Sequence, residues 1–299
     1  MNNPQIAGRF IALSAAIFYG FNTTLSRLAY DTGTTPVSLI VFRFLLTSAA
    51  MVILVLVLRK SWRMQVSPRV FGLCVLGMYI TSIGHLGAVR YIPVSLAAII
   101  FYTFPLFVIA WKLLVGKQSI TLYEIIGFVL AFAGLAIALG PEFHQMDITG
   151  LLLAFSGSLG ATLFILSYDR FPKDTDSWVG SLWINLGTLM LCGLSLLFGF
   201  ELVPPGESIG WLYLTAIMVF SLISFVLSLQ AIKKVGASVF ALFLNFEPVV
   251  ILLLAWLVID EDLSITRISG ISMVVAALVI SHWRVKPVLS KKKDSEELK

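Results

Sequence analysis

Glu247 lies near the middle of a long apolar segment, where Asn245 and Phe246 precede it and Pro248 follows it. If this segment crosses a bilayer, an ionised carboxylate at that depth costs on the order of 2.5–3.5 kcal/mol. The side chain is then protonated, paired with a cation or exposed to water inside the protein. Each of these arrangements makes Glu247 a candidate for proton coupling or for binding an amine, and the alternative is a hydrogen-bonded structural acid.

Two prolines and one arginine also lie inside apolar segments. Pro105 and Pro248 each remove a backbone hydrogen bond and clash with the preceding turn, so both helices are predicted to kink. Kinks at matching places suit a gate or a cavity wall, and they also suit static packing. Arg43 has three interpretations: it contacts an anion, it pairs with Glu247, or its side chain extends to the membrane surface. These four residues are our candidates for coupling or gating.

The whole chain has the composition of a membrane protein. Of its 299 residues, 59% are hydrophobic and 12% are charged, whereas about a quarter of the residues in soluble domains are charged. Ten apolar runs of about 18–24 residues are long enough to cross a hydrocarbon core, and only helices satisfy the backbone there. The net charge of +5 is spread between the runs, which argues against a nucleic-acid partner. The runs are Phe10–Leu28, Pro36–Leu58, Val70–Val89, Pro93–Val115, Leu122–Leu139, Ile148–Tyr168, Trp178–Phe200, Ile209–Ala231, Val235–Val258 and Thr266–Trp283.

The basic residues predict how the chain is oriented. If the N-terminus is cytoplasmic, most of the 21 lysines and arginines fall on the cytoplasmic side, while Arg27, Arg90 and Arg267 fall outside. This asymmetry follows the positive-inside rule and favours an even number of spans with both termini in the cytoplasm.

The two halves of the chain repeat each other. Four residues of the fourth and fifth runs recur 143 positions later, and small residues of the first run recur on the sixth run 142 positions later. Because each half has five spans, an odd number, the second half is predicted to enter the membrane upside down. The first set is Ser95, Ala98, Pro105 and Gly127, which recur as Ser238, Ala241, Pro248 and Gly270.

One strip of the ninth run is predicted to face a cavity between the halves. Asn245 and Glu247 are two positions apart, roughly 200° around an ideal helix, so they cannot share one cavity unless Pro248 distorts the turn. We favour the strip that contains Asn245. Its members are Ala241, Asn245 and Pro248, and their counterparts in the first half are Ala98, Tyr102 and Pro105.

Two segments resemble the repeats of a known family. Residues 88–106 and residues 244–257 resemble the two repeats of the EamA family, within the drug/metabolite transporter superfamily. The resemblance implies an all-α membrane protein of ten transmembrane helices, built as two inverted-topology five-helix repeats around a central cavity. The repeats cover residues 10–139 and 148–283, and a cytoplasmic polar tail covers residues 284–299. The resemblance also implies the usual function of the family, which is export of amino acids or related metabolites across a bacterial-type cytoplasmic membrane.

Polar and aromatic side chains lie on the helices that the resemblance places around the cavity. Aromatic walls with a few polar tips suit a small amphipathic ligand, and the charge of His85 can switch near neutral pH. The same side chains also suit ordinary packing or hydrogen bonds between helices. Our candidate substrate-binding residues are Tyr19, Asn22, Tyr79, His85, Tyr102 and Asn245.

We therefore expect a secondary active transporter that exports a small amphipathic metabolite, such as an amino acid, by alternating access. Its expected partners are the substrate, protons as a candidate coupling ion, and membrane lipids, with a monomer and a homodimer both open. An enzyme is not expected, because His85, His144 and His282 are far apart and no metal-ligand or cofactor motif occurs. The alternatives are a flippase for a lipid-linked carrier and a non-transporting membrane scaffold.

Overall fold

The computed structural model describes residues 4–88, 91–92, 94–115, 122–140, 147–197, 201–259 and 264–283. The regular elements in these ranges are all α-helices. The predicted polar tail at 284–299 lies outside the described residues. The helices are α1 (Pro4–Tyr30), α2 (Pro36–Val57), α3 (Pro68–Ala88), α4 (Val94–Phe101), α5 (Phe104–Leu114), α6 (Leu122–Leu139), α7 (Ile148–Tyr168), α8 (Ser177–Leu196), α9 (Ser208–Leu244), α10 (Glu247–Ile259) and α11 (Ile265–Trp283).

Six of these segments are long and apolar enough to cross a membrane, and three shorter apolar helices accompany them. A chain with this many apolar helices is a multi-pass membrane protein. The long segments are Pro36–Val57, Pro68–Ala88, Leu96–Leu114, Ile148–Tyr168, Ser177–Leu196 and Ser208–Leu244.

The two prolines interrupt their helices, as the sequence predicts. The first break separates α4 from α5 at Tyr102 and Thr103, just before Pro105. The second separates α9 from α10 at Asn245 and Phe246, just before Pro248. Each proline stands at the second position of the helix that follows, where its missing N–H is not needed.

α9 runs through the boundary that the sequence places between the eighth and ninth runs. Its backbone changes direction at Gly236, where φ is 83° and ψ is 168°. Only glycine adopts this region readily, because a Cβ there meets the neighbouring backbone. The eighth and ninth predicted runs therefore form one element that bends at Gly236.

The helices pack in three main pairs: α1 along α9, α3 along α7, and α6 along α11. Glycines bring the paired backbones close together. A Cβ at Gly84 of α3 would lie 2.5 Å from the backbone nitrogen of Gly157 in α7, and a Cβ at Gly77 would lie 2.5 Å from that of Phe164. Such close contacts raise van der Waals attraction between helices in lipid, where apolar side chains gain little from leaving the solvent.

Candidate functional site

A cavity of about 480 Å³ lies between the helices at the level of the two helix breaks. This volume is within the range of sites for small molecules. The polar lining residues are Tyr19, Asn22, Thr23, Thr24, Ser26, Arg27, Tyr30, Arg43, Thr81, Ser82, His85 and Glu247. The apolar ones are Met78, Leu86, Phe101, Phe104, Ala161, Phe164, Ile165, Phe240, Leu244, Ile251 and Ala255.

Glu247 is the first residue of α10 and faces the cavity. Its Oε1 accepts a hydrogen bond of 3.0 Å from the Thr23 hydroxyl of α1. Tyr102, in the break between α4 and α5, interacts with the same carboxyl group. A negative charge is also favoured at the N-terminal end of a helix. The carboxyl group is therefore held by three elements, α1, α10 and the first helix break.

Two hydrogen bonds fix the middle of α1 against α9. Asn22 Nδ2 donates to Ser221 Oγ at 2.7 Å, and Ser228 Oγ donates to the Tyr19 hydroxyl at 3.4 Å. Asn22 is only 4% exposed, and its Oδ1 has no hydrogen-bond partner among the described residues. This amide oxygen therefore keeps its capacity to accept a hydrogen bond inside the cavity wall.

Arg43 and His85 lie on the α2 and α3 sides of the cavity. The Arg43 guanidinium donates a hydrogen bond of 3.3 Å to Ser82 Oγ and lies 4.8 Å from the centre of the Phe44 ring. The His85 ring packs on Phe101 with its centre 4.2 Å away. Within the described ranges, no ion pair of 4 Å or less joins Arg43 to Glu247, so this conformation does not contain the pairing that the sequence offers as one alternative for Arg43.

The cavity extends toward one face of the molecule. On α1 its lining runs from Tyr19 to Tyr30 at the C-terminal end of the helix. The opposite end is closed, because Ala12, Ala15 and Ala16 of α1 are 0% exposed. α1 also packs closely on α9 there, since a Cβ at Gly8 would lie 2.6 Å from Val235 Cγ1. Salt bridges between Lys112 and Asp169 and between Lys60 and Asp176 lie at this closed end.

Five pairs of positions that the sequence duplication matches contribute both members to the cavity lining. In four of the five pairs, one half supplies a polar side chain and the other an apolar one, so the lining combines polar and apolar surface. Such a site suits a molecule with one polar and one apolar end. The pairs are Tyr19 and Ala161, Asn22 and Phe164, Thr23 and Ile165, Phe101 and Leu244, and Glu247 and Phe104.

The predicted cavity strip through Asn245 is wrong. Asn245 is 2% exposed and is not part of the lining, whereas Phe240, Leu244 and Glu247 line the cavity. The reason is that a carboxyl group gains more from the cavity than an amide does, since its charge costs more to desolvate. Pro248 breaks the helix behind this wall and does not contribute to it.

Three further candidates lie outside the cavity lining. Tyr102 is 3% exposed and packs edge-on against Phe101 at 5.2 Å between ring centres. Tyr79 packs instead with the cluster between α2 and α8, because it lies about 120° around α3 from His85. Pro105 is buried behind the first break. Tyr19, Asn22, His85, Arg43 and Glu247 do line the cavity, and their roles in binding stay predictions.

The prediction missed most of the polar stripe on α1. Thr23, Ser26, Arg27 and Tyr30 line the cavity together with Tyr19. Their spacing of three and four residues is the spacing of one helix face, and this signal is readable in the sequence. Ser221, which holds Asn22, could not be found in this way because it lies on another helix. Within the described ranges, no three His, Cys, Asp or Glu residues group as they would around a metal ion.

The profile of the EamA-like transporter family matches the chain twice, over residues 6–140 and over residues 148–283. The chain belongs to the EamA-like transporter family. The two matches of one profile fall on the two halves that the sequence duplication defines.

Relatives of this EamA-like transporter are themselves named as transporters. An uncharacterized transporter of Synechocystis is 23% identical, over 97% of this chain and 98% of that protein. The uncharacterized transporter YyaM of Bacillus subtilis is 24% identical, over 92% and 93%. A solved crystal structure aligns with a TM-score of 0.77 at 17% identity, over 92% of this chain and 96% of that one. This last likeness establishes the fold.

Proposed function

We propose that this EamA-like protein is a secondary active transporter that exports a small amphipathic metabolite, such as an amino acid, by alternating access. The observation that carries the proposal is the central cavity, where polar and apolar side chains of both halves line one space at two matching helix breaks. A polar pocket at mid-membrane costs stability, and this cost is typical of transport sites.

The proposed architecture is ten spans in two inverted repeats. Under the duplication, α1 corresponds to α7, and α3 corresponds to the part of α9 before Gly236. When the two halves are exchanged, the contact of α1 with α9 is replaced by the contact of α7 with α3, and both contacts are among the three main helix pairs. The same exchange replaces α6 by α11 and α11 by α6, so this pair is unchanged. This exchange of contacts supports a pseudo-two-fold axis through the cavity.

The proposed orientation places both termini in the cytoplasm of a bacterial-type cell. The end of the cavity near Tyr30 then faces outward, and the end closed by Gly8 and Val235 faces the cytoplasm. Rearrangement of the two halves about their shared axis would open the closed end and close the open one. The salt bridge of Lys112 with Asp169 must separate or shift in that step.

The proposed roles follow from the position of each side chain. Glu247 exchanges a proton or binds a cationic group, since it is the acidic residue of the lining. Asn22 and His85 contribute polar contacts, and Tyr19 forms part of the wall. Tyr102 acts through Glu247 rather than by touching the substrate.

Transport into vesicles tests this proposal. Proteoliposomes that contain the purified protein are loaded with an unlabelled amino acid mixture. Uptake of labelled amino acids in exchange for the unlabelled ones is then followed with and without a proton gradient. We expect flux above protein-free vesicles, at least tenfold lower flux in Glu247→Gln, and normal flux in Glu201→Gln, which removes an exposed carboxyl group. Absence of flux for every metabolite, together with movement of a lipid-linked carrier, would favour the flippase.

A further inference from the structure

We propose that Arg43 binds an acid group of the transported molecule, so that the cavity selects carboxylates and related anions over their uncharged amides. This assignment rests on the proposed function, since it names the substrate class of the same cavity. It also gives the substrate a direction, with its acid end at Arg43 of α2.

The first support is the incomplete hydrogen bonding of Arg43. A guanidinium group has five N–H donors, and the described residues offer Arg43 one hydrogen bond, at 3.3 Å to Ser82 Oγ. Ser82 also donates to the backbone oxygen of Met78 at 3.0 Å, which fixes the acceptor in place. Arg43 lines the cavity and is partly exposed to it. Its remaining donors are therefore available to a ligand.

The second support is the balance of charge around the cavity. Arg43 and Glu247 both line it, and no ion pair of 4 Å or less joins them among the described residues. The Glu247 carboxyl group is already hydrogen-bonded by Thr23. The guanidinium charge of Arg43 is therefore not paired with a carboxylate of the described residues, and it concentrates anions in a cleft with apolar walls.

The third support is a set of unused polar atoms near the guanidinium. The Tyr30 hydroxyl and His85 Nδ1 are buried and have no hydrogen-bond partner among the described residues. Both side chains line the same cavity as Arg43, and His85 follows Ser82, which accepts the Arg43 hydrogen bond, by three residues on α3. Buried polar atoms in native proteins are normally hydrogen-bonded, so an anion at Arg43 would complete this cluster.

The apolar lining defines the rest of the ligand. Four aromatic rings contribute to this lining, those of Phe101, Phe104, Phe164 and Phe240. Aromatic rings favour an aromatic or branched aliphatic body. The class that fits is an organic acid with such a body, with or without an amine.

Four matched compounds test the assignment: phenylalanine, 3-phenylpropanoate, phenylalaninamide and 3-phenylpropanamide. They separate the effect of the acid group from that of the amine. Binding to the purified protein is measured at neutral pH from the rise in unfolding temperature with ligand concentration. We expect the two acids to bind about tenfold or more tightly than the two amides.

Variants assign the preference to Arg43. Arg43→Gln is expected to abolish the difference between acids and amides, and Arg43→Lys to keep part of it, because an ammonium lacks the bidentate geometry. Arg69→Gln removes an exposed cation outside the cavity and is expected to keep the full difference. Circular dichroism of each variant verifies the fold.

The outcomes separate this assignment from the proposed function. Equal binding of acids and amides by the wild-type protein, or an acid preference that survives in Arg43→Gln, overturns the assignment. Transport of the two amides by the wild-type protein as fast as transport of the two acids also overturns it, and leaves the transport function standing. An acid preference in binding without flux of any compound supports the anion site and contradicts the transport function.

Discussion

The Thr23 hydroxyl donates a 3.0 Å hydrogen bond to the Glu247 carboxyl group, although the two residues are 224 positions apart in the chain. This bond connects α1, the first helix of the first half, to the start of α10, directly after the helix break in the second half. It fixes an ionisable group at the point where both halves meet the cavity. Any rearrangement of the halves that moves α1 relative to α10 must change it.

Removing this hydrogen bond tests its contribution. Thr23→Val keeps the shape of the side chain but leaves the carboxyl group without its donor, which should cost about 1–3 kcal/mol of stability. Thr23→Ser restores the hydroxyl and should recover most of the loss. Thermal unfolding of the purified protein measures both effects. Equal stability of wild type and Thr23→Val would mean that water or Tyr102 satisfies the carboxyl group equally well.

Two glycines of α3 provide a matched pair for the helix packing. A Cβ at Gly84 would lie 2.5 Å from Gly157 N, whereas a Cβ at Gly72 would meet nothing within 4 Å. We expect Gly84→Ala to force α3 and α7 apart and to lower the unfolding temperature. Gly72→Ala should be neutral or stabilise the helix by up to about 1 kcal/mol. A similar response of both variants would contradict the close packing of α3 on α7.

We expect Asp176, at the closed end of the cavity, to make a pH-dependent contribution to the free energy of unfolding. Burial raises the pKa of Asp176, but hydrogen bonds from Lys60 and from the backbone N–H of Trp178 outweigh it and hold the pKa below its ordinary value. The pKa of Asp176 is lower in the folded protein than in the unfolded chain, where it is about 4. The ionised carboxylate therefore stabilises the fold at pH values above about 4, and this stabilisation is lost as the pH falls through the pKa of the folded state.

Asp176→Asn isolates the charge, because asparagine also caps a helix. We expect a loss of about 0.2–1 kcal/mol at neutral pH, since the pair with Lys60 at 2.8 Å is partly exposed. The loss should disappear below about pH 4. Unfolding of both proteins at several pH values measures this, and a difference that is constant with pH would assign the effect to the cap rather than to the charge.

The positions of the helices could be predicted from the sequence because apolar length determines them. The runs Leu122–Leu139 and Ile148–Tyr168 coincide with α6 and α7, and both proline breaks fall where a missing N–H requires them. The sequence predicts a boundary at Lys233 and Lys234 between the eighth and ninth runs, but the helix continues through both lysines and its backbone changes direction at Gly236. The exact position could not be predicted, because a single glycine makes this turn without a loop. α1 also begins earlier than predicted, at Pro4, because polar residues at a membrane surface continue a helix as well as apolar ones do.

The site was predictable only in part. Asn22, His85 and Glu247 stand out because polar groups are rare in apolar runs, and all three line the cavity. The choice between Asn245 and Glu247 could not be made from periodicity, because each belongs to a strip with members in both halves. The helix break also changes the register after Leu244. Which strip faces the cavity depends on how α9 packs on α1, and this contact joins residues of opposite halves.

The most direct test of the account is the accessibility of Thr81, which lines the cavity from α3. Cys74 and Cys192 are 0% and 1% exposed, so a Thr81→Cys variant carries one accessible thiol. Labelling with a membrane-impermeant maleimide is compared in right-side-out and inside-out vesicles, with and without substrate. Alternating access predicts labelling from outside in the conformation described here and, when substrate drives turnover, labelling from the cytoplasmic side as well. Labelling from one side under every condition would contradict it.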